Sequence, residues 1–116
     1  HGTSRGLGDV YKRQKENRLK VINKLKEKNV ESLKAYYVCV IVGLRSPSDP
    51  FPIITQGEVH GKVSIVSSGD GGFGYDKIFY PNNYSYSMAT MDEEIKNKIS
   101  HRAIASKKFI EKFFKL

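Results

Sequence analysis

The chain has 116 residues, 39% hydrophobic and 28% charged, which fits one soluble globular domain with enough apolar content for a core. One cysteine, Cys39, excludes an intrachain disulfide, and no apolar run is long enough to cross a bilayer as a helix. The net charge of +8 suggests nucleic acid until it is mapped: residues 1–34 hold ten Lys/Arg against four Asp/Glu, and residues 35–116 hold ten against eight. The excess sits at the front, so a solvated basic helix face is the preferred reading. No secretory pattern opens the chain, and a cytoplasmic protein with neither a membrane nor a nucleic-acid partner is expected.

Residues 1–14 mix Gly, Ser, Arg and Lys without periodicity. The run Gly6-Leu7-Gly8-Asp9-Val10-Tyr11-Lys12-Arg13-Gln14 resembles a translated sequencing adapter, so it is set apart as a non-native, disordered tail, leaving 15–116 as the domain. Lys15 to Lys28 reads as an amphipathic helix, with Leu19, Ile22 and Leu25 on one face and Asn29 able to end it. Ala35 to Leu44 is apolar at both parities, which predicts a central strand buried on both faces, with Cys39 a core residue and not a nucleophile. Arg45 to Pro52, with three prolines, is a loop. Ile53–Val59 and Lys62–Ser67 predict a hairpin turning at His60-Gly61, where Glu58 and His60 read as solvated. Lys77 to Pro81 is a short extended segment, and Asn82 to Ser87 a polar loop. Asp92 is a candidate N-cap for a helix over Glu93–Ile99, and Ser100 for a longer one. In that last helix Ile104, Ala105, Phe109, Ile110, Phe113 and Phe114 form an apolar stripe expected to be core.

Two stretches carry the chemistry. Ser67 to Asp76 holds four glycines between Gly69 and Gly74, with Phe73 among them and Asp76 just after. Glycine tolerates positive φ and lets backbone approach a ligand closely. About twenty-five residues on come Lys96 and then Ser100-His101-Arg102, at a helix start where exposed amides favour negative charge. On residue types alone the plainer reading is favoured there: Arg102 pairs with Asp92 or Glu93, and His101 is a capping residue.

Gly71-Gly72-Phe73-Gly74-Tyr75-Asp76, Ile78-Phe79, Pro81, Lys96 and Ile99-Ser100-His101-Arg102, taken in this order, are similar to the signature of the nucleoside-triphosphate pyrophosphatases that act on inosine and xanthosine triphosphates. The resemblance runs from about Gln14 to the end. It implies an α/β fold, a twisted mixed sheet with flanking helices, incomplete because only the family's C-terminal half is present. It implies hydrolysis of non-canonical purine nucleoside triphosphates to monophosphate and pyrophosphate, with magnesium, in a homodimer. By resemblance Phe73 stacks on the purine, Gly74, Tyr75 and Asp76 shape the base pocket, and Lys96, His101 and Arg102 donate to the base and adjoining atoms. The chain departs from the family at Lys77, where proline is usual, and near Thr90, where a glutamate is usual. The family's Ser/Thr-x-x-Asn-x-x-Lys phosphate motif and its acidic, magnesium-binding segment are absent, so the general base and metal ligands are expected outside this chain. The competing reading is a non-catalytic, basic nucleotide- or nucleic-acid-binding module.

Overall fold

The computed structural model describes residues 3–115. In chain order the elements are α1 (Thr3–Glu27), β1 (Ser32–Gly43), β2 (Ile53–Ser64), β3 (Phe79–Pro81), a 3-10 turn (Met88–Thr90), α2 (Glu93–Ile99) and α3 (His101–Phe113). The strands form one sheet in the order β1-β2-β3; β2 and β3 run antiparallel, with Gly61 opposite Pro81 and Val63 opposite Phe79. The α/β class read from the sequence holds: a small antiparallel sheet flanked by helices. The chain divides into two compact units, one made of the residues up to Ala35 with Gly61–Met91, the other of Tyr36–His60 with the residues from Asp92 on.

In the first unit, α1 ends where Asn29 takes the left-handed conformation (φ 57°). There Asn29 N donates to Lys26 O and Val30 N to Leu25 O, closing the last turn as a Schellman motif. The expected disordered tail over 1–14 is not met in its described part, because α1 begins at Thr3; His1 and Gly2 lie outside the described residues. The less exposed positions of α1 are Gln14, Arg18, Val21, Ile22 and Leu25, spaced three or four apart as on one helix face. The first two are polar, so hydropathy alone loses the stripe before Val21, and Leu19, expected on the apolar face, is exposed. The core of this unit is Leu25, Ile78, Phe79 and Met88, each at most 2% exposed, where full burial of such a side chain stabilises by about 1.5–3 kcal/mol.

In the second unit, β1 alternates half-buried Tyr37, Cys39 and Ile41 with exposed Tyr36, Val38, Val40 and Val42. It is the terminal strand of the sheet, not the central one expected. An apolar run at both parities fits a doubly buried strand and an edge strand with an exposed valine row equally well, and only pairing separates them. The expected hairpin at His60-Gly61 is also absent: β2 is a single strand from Ile53 to Ser64. Its residues Thr55, Gly57 and Val59 are buried while Gln56, Glu58 and His60 are exposed. Gly57 permits the close approach of α3, since a Cβ there would collide with the His101 carbonyl oxygen and the Ala105 nitrogen. Thr55 Oγ1 fastens the contact by donating to Ala105 O at 2.9 Å. Along α3, Ala105 is fully buried and Phe109 lies on Gly43, but Ile110, Phe113 and Phe114 are exposed. The stripe is therefore core only in its first half, because these strands offer surface to the first turns of the helix.

Candidate functional site

The glycine-rich loop lies in the first unit and is built around a carboxylate. Asp76 is buried (8% exposed), and its Oδ2 accepts from the Phe73 backbone N–H at 2.9 Å. Asp76 N in turn donates to Phe73 O at 3.1 Å, and Asp76 O accepts from Ala89 N at 3.1 Å. Gly72 makes this possible. It sits at φ +79°, where a side chain is strained, and a Cβ there would run into Asp76. A Gly-x-x-x-Asp spacing thus encodes a carboxylate that closes back on the amide of the residue just after the glycine. The Phe73 backbone is fixed at both its N–H and its C=O while the ring stays 58% exposed.

That ring lines a cleft of about 410 Å³, within the ~300–1,000 Å³ usual for small-molecule sites. One wall is Asp70 to Gly74 with Lys77; the other is α1, through Tyr11, Gln14, Lys15 and Arg18. Three cations, Lys15, Arg18 and Lys77, face one acid, Asp70, so the cleft favours an anionic ligand. The α1 wall escaped the sequence reading. Its signal is helical spacing, with Tyr11, Gln14 and Arg18 continuing the stripe that Val21, Ile22 and Leu25 make apolar. Of the residues singled out in the loop, Phe73 and Gly74 line the cleft and Asp76 lies buried beneath Phe73. Tyr75 is partly exposed, is not among the lining residues, and its carbonyl accepts from Ile78 N and Phe79 N.

Lys96, His101 and Arg102 belong to the second unit, where α2 gives way to α3. Ser100 ends α2 by donating its N–H to Lys96 O at 2.8 Å and starts α3 by accepting from Ala103 N at 3.1 Å on its hydroxyl. This one residue turns the chain and makes His101 the first residue of α3. The half-buried His101 ring stacks on Tyr37 with centroids 4.8 Å apart and planes 18° from parallel. Arg102 is exposed and Lys96 half-buried. The cap is Ser100, not His101, and among the described residues no ion pair joins Arg102 to Asp92 or Glu93.

Two further charge groups lie on strand and loop surface in the second unit. His60 Nε2 meets Glu58 Oε2 at 2.9 Å, and Gln56 donates to the other Glu58 oxygen at 2.6 Å. The bond to His60 and then that from Gln56 hold the Glu58 carboxyl below its ordinary value. Asp49 ties the Arg45–Pro52 loop. Its carboxylate accepts from the Arg45 and Phe51 backbone N–H groups and from the Arg45 guanidinium, which lowers its pKa from 3.8 to about 2. Among the described residues no group of three or more His, Cys, Asp or Glu side chains could hold a metal ion.

Fold and site together define an α/β protein in which a glycine-rich loop faces a cationic cleft. The sequence model of the Ham1 family matches residues 4–112, and the chain belongs to that family. It is 41% identical over 90 residues to a Legionella pneumophila (strain Paris) protein named dITP/XTP pyrophosphatase, covering 78% of this chain and 46% of that protein. It is 39% identical over 110 residues to a protein of the same name from Neisseria meningitidis serogroup A, covering 95% of this chain and 54% of that protein. A solved HAM1 protein from Coxiella burnetii superposes with a TM-score of 0.80 at 31% identity, over 89% of this chain and 52% of the other. The Staphylococcus aureus Ham1 protein gives 0.73 at 33% identity, over 88% and 50%. The chain spans about half the length of the curated relatives it matches.

Proposed function

We propose that this chain carries the purine-recognition part of an enzyme that hydrolyses non-canonical purine nucleoside triphosphates to the monophosphate and pyrophosphate. The observation that carries the reading is Phe73: an exposed aromatic ring on a backbone fixed at both its polar groups, facing a cationic cleft. A platform already held in place loses little freedom when a flat ligand lands on it. The names of the relatives supply the ligand class, deoxyinosine and xanthosine triphosphates. Phe73 stacks on the base, Gly74 and Tyr75 border it, and Asp76 holds the loop in shape. Lys96, His101 and Arg102 are assigned as substrate donors from their sequence motif alone. Donors aimed at a 6-oxo group reject adenine, whose 6-amino group would leave two desolvated donors facing each other.

In the complete enzyme, a water oxygen bonds to the α-phosphorus as the α–β bridging bond breaks, and pyrophosphate leaves with those electrons. The general base and the ligands of the magnesium ion belong to sequence this chain does not contain, and the complete enzyme is a cytoplasmic homodimer in this reading. The chain alone binds without turnover. The test is isothermal titration of the purified chain with inosine triphosphate, alongside a pyrophosphate-release assay in magnesium. Binding without release is expected. Replacing Phe73 with Ala should weaken binding roughly 5- to 150-fold, the range for loss of one base–aromatic stack. Magnesium-dependent release by the chain alone refutes the division of labour, and undiminished binding by Phe73→Ala refutes the platform.

A further inference from the structure

Gly74 lies directly after the platform residue, and α1 holds both of its backbone polar groups. Arg18 Nη1 donates to Gly74 O at 3.0 Å, and Gly74 N donates to Gln14 Oε1 at 3.2 Å. The two side chains come from residues 56 and 60 positions away in sequence, one helical turn apart on one face of α1. Gln14 makes this bond although its Nε2 is left buried without a hydrogen-bond partner. Gly74 itself is at φ +62°, and nothing lies within 4 Å of where its Cβ would be. The two hydrogen bonds fix both polar backbone groups of Gly74.

We infer that Arg18, assisted by Gln14, is a positioning residue for the purine platform: it grips the Gly74 peptide from α1 and thereby sets the plane in which Phe73 meets the base. This rests on the function proposed above. Asp76 holds the amide on one side of Phe73 and α1 holds the peptide on the other, so the ring is aimed from both ends. The sequence reading contained nothing of this, because the groups gripped are backbone atoms.

The test uses the whole chain, with Arg18→Leu to remove the donor and Arg18→Lys to restore one. Hydrogen exchange at the Gly74 amide, which Gln14 holds, reads whether the segment opens once Arg18 no longer holds the Gly74 carbonyl; titration with inosine triphosphate reads binding, and circular dichroism confirms the fold. In Arg18→Leu, exchange at Gly74 should quicken at least about tenfold, and binding should weaken roughly 2- to 10-fold, the cost of ordering a freed segment on binding. Arg18→Lys should recover part of both. Phe73→Ala separates the roles, since it should lose binding while Gly74 exchange stays as in the wild type. If Arg18→Leu weakens binding and leaves Gly74 exchange unchanged, Gln14 holds the segment without Arg18 and the positioning role of Arg18 is refuted. If exchange quickens and binding holds, the clamp does not serve the platform. If Arg18→Leu does not fold, Arg18→Lys decides, because exchange and affinity that fail to move together overturn the inference. A wild-type chain that does not bind inosine triphosphate sinks the proposed function, an outcome distinct from these.

Discussion

Replacing Gly72 with Ala, set against the same change at Gly74, tests how the loop is built. Both glycines have positive φ, +79° and +62°. A left-handed backbone costs a non-glycine residue roughly 1–2 kcal/mol, and at Gly74 that is the whole cost, because nothing lies near its Cβ position. At Gly72 the new methyl meets Asp76, which cannot retreat without giving up the Phe73 N–H at 2.9 Å. A hydrogen bond to a charged acceptor is worth about 1.5–3 kcal/mol, which brings Gly72→Ala to about 2.5–5 kcal/mol by simple addition of that and the backbone strain. One kcal/mol moves the melting temperature of a small domain by roughly 4–8 °C. Gly74→Ala should therefore melt about 4–16 °C below wild type and Gly72→Ala about 10–40 °C below, the lower of the two by at least about 6 °C. Thermal unfolding followed by circular dichroism gives the two shifts, and amide exchange at Phe73 locates the damage. Equal shifts for the two variants would show that Asp76 does not hold the loop.

Gly57→Ala puts a methyl into backbone atoms of α3, His101 O and Ala105 N, which cannot rotate away; a loss of about 3 kcal/mol or more is expected in urea unfolding, at the upper end for overpacking. Gly8→Ala, in the first half of α1 with open space at its Cβ position, should instead stabilise by roughly 0.5–1 kcal/mol as a helix-interior glycine does; no gain would mean that this part of the chain is not helical in solution. Asp49 supplies a pH signature. Its folded pKa lies below the unfolded one, about 2 against 3.8, so its stabilisation is complete above about pH 5, shrinks as protons bind, and is gone once the pH falls below the folded value. The gap in melting temperature between wild type and Asp49→Asn should close between pH 5 and pH 2, and a gap independent of pH refutes the assignment.

The parts of the fold that were legible in the sequence are those set by neighbours in the chain. Asn29 ended α1 through its own left-handed backbone, Asp92 and Ser100 fell at the starts of α2 and α3, and Pro81 closed β3. The glycine-rich loop was visible for the same reason, since its glycines, Phe73 and Asp76 act on one another across four residues. Apart from the tail, which α1 takes into its helix from Thr3 on, the errors were about partners. The valine row of β1 read as buried because apolar residues at both parities carry no record of which face is covered. The His60-Gly61 pair read as a turn because Gly61 lies opposite Pro81 on a strand that local sequence does not name.

The site divides along the same line. Spacing and backbone preference set the loop, its aromatic residue, its carboxylate and the capped helix start that presents His101 and Arg102, all of them locally. Long-range packing alone makes α1 the facing wall of the cleft, lets Gln14 and Arg18 grip Gly74 across more than fifty residues, and lets Gly57 admit α3. Those contacts join side chains to distant backbone groups. Every residue carries nearly the same backbone groups, so no pattern of side chains could have announced which of them would be held.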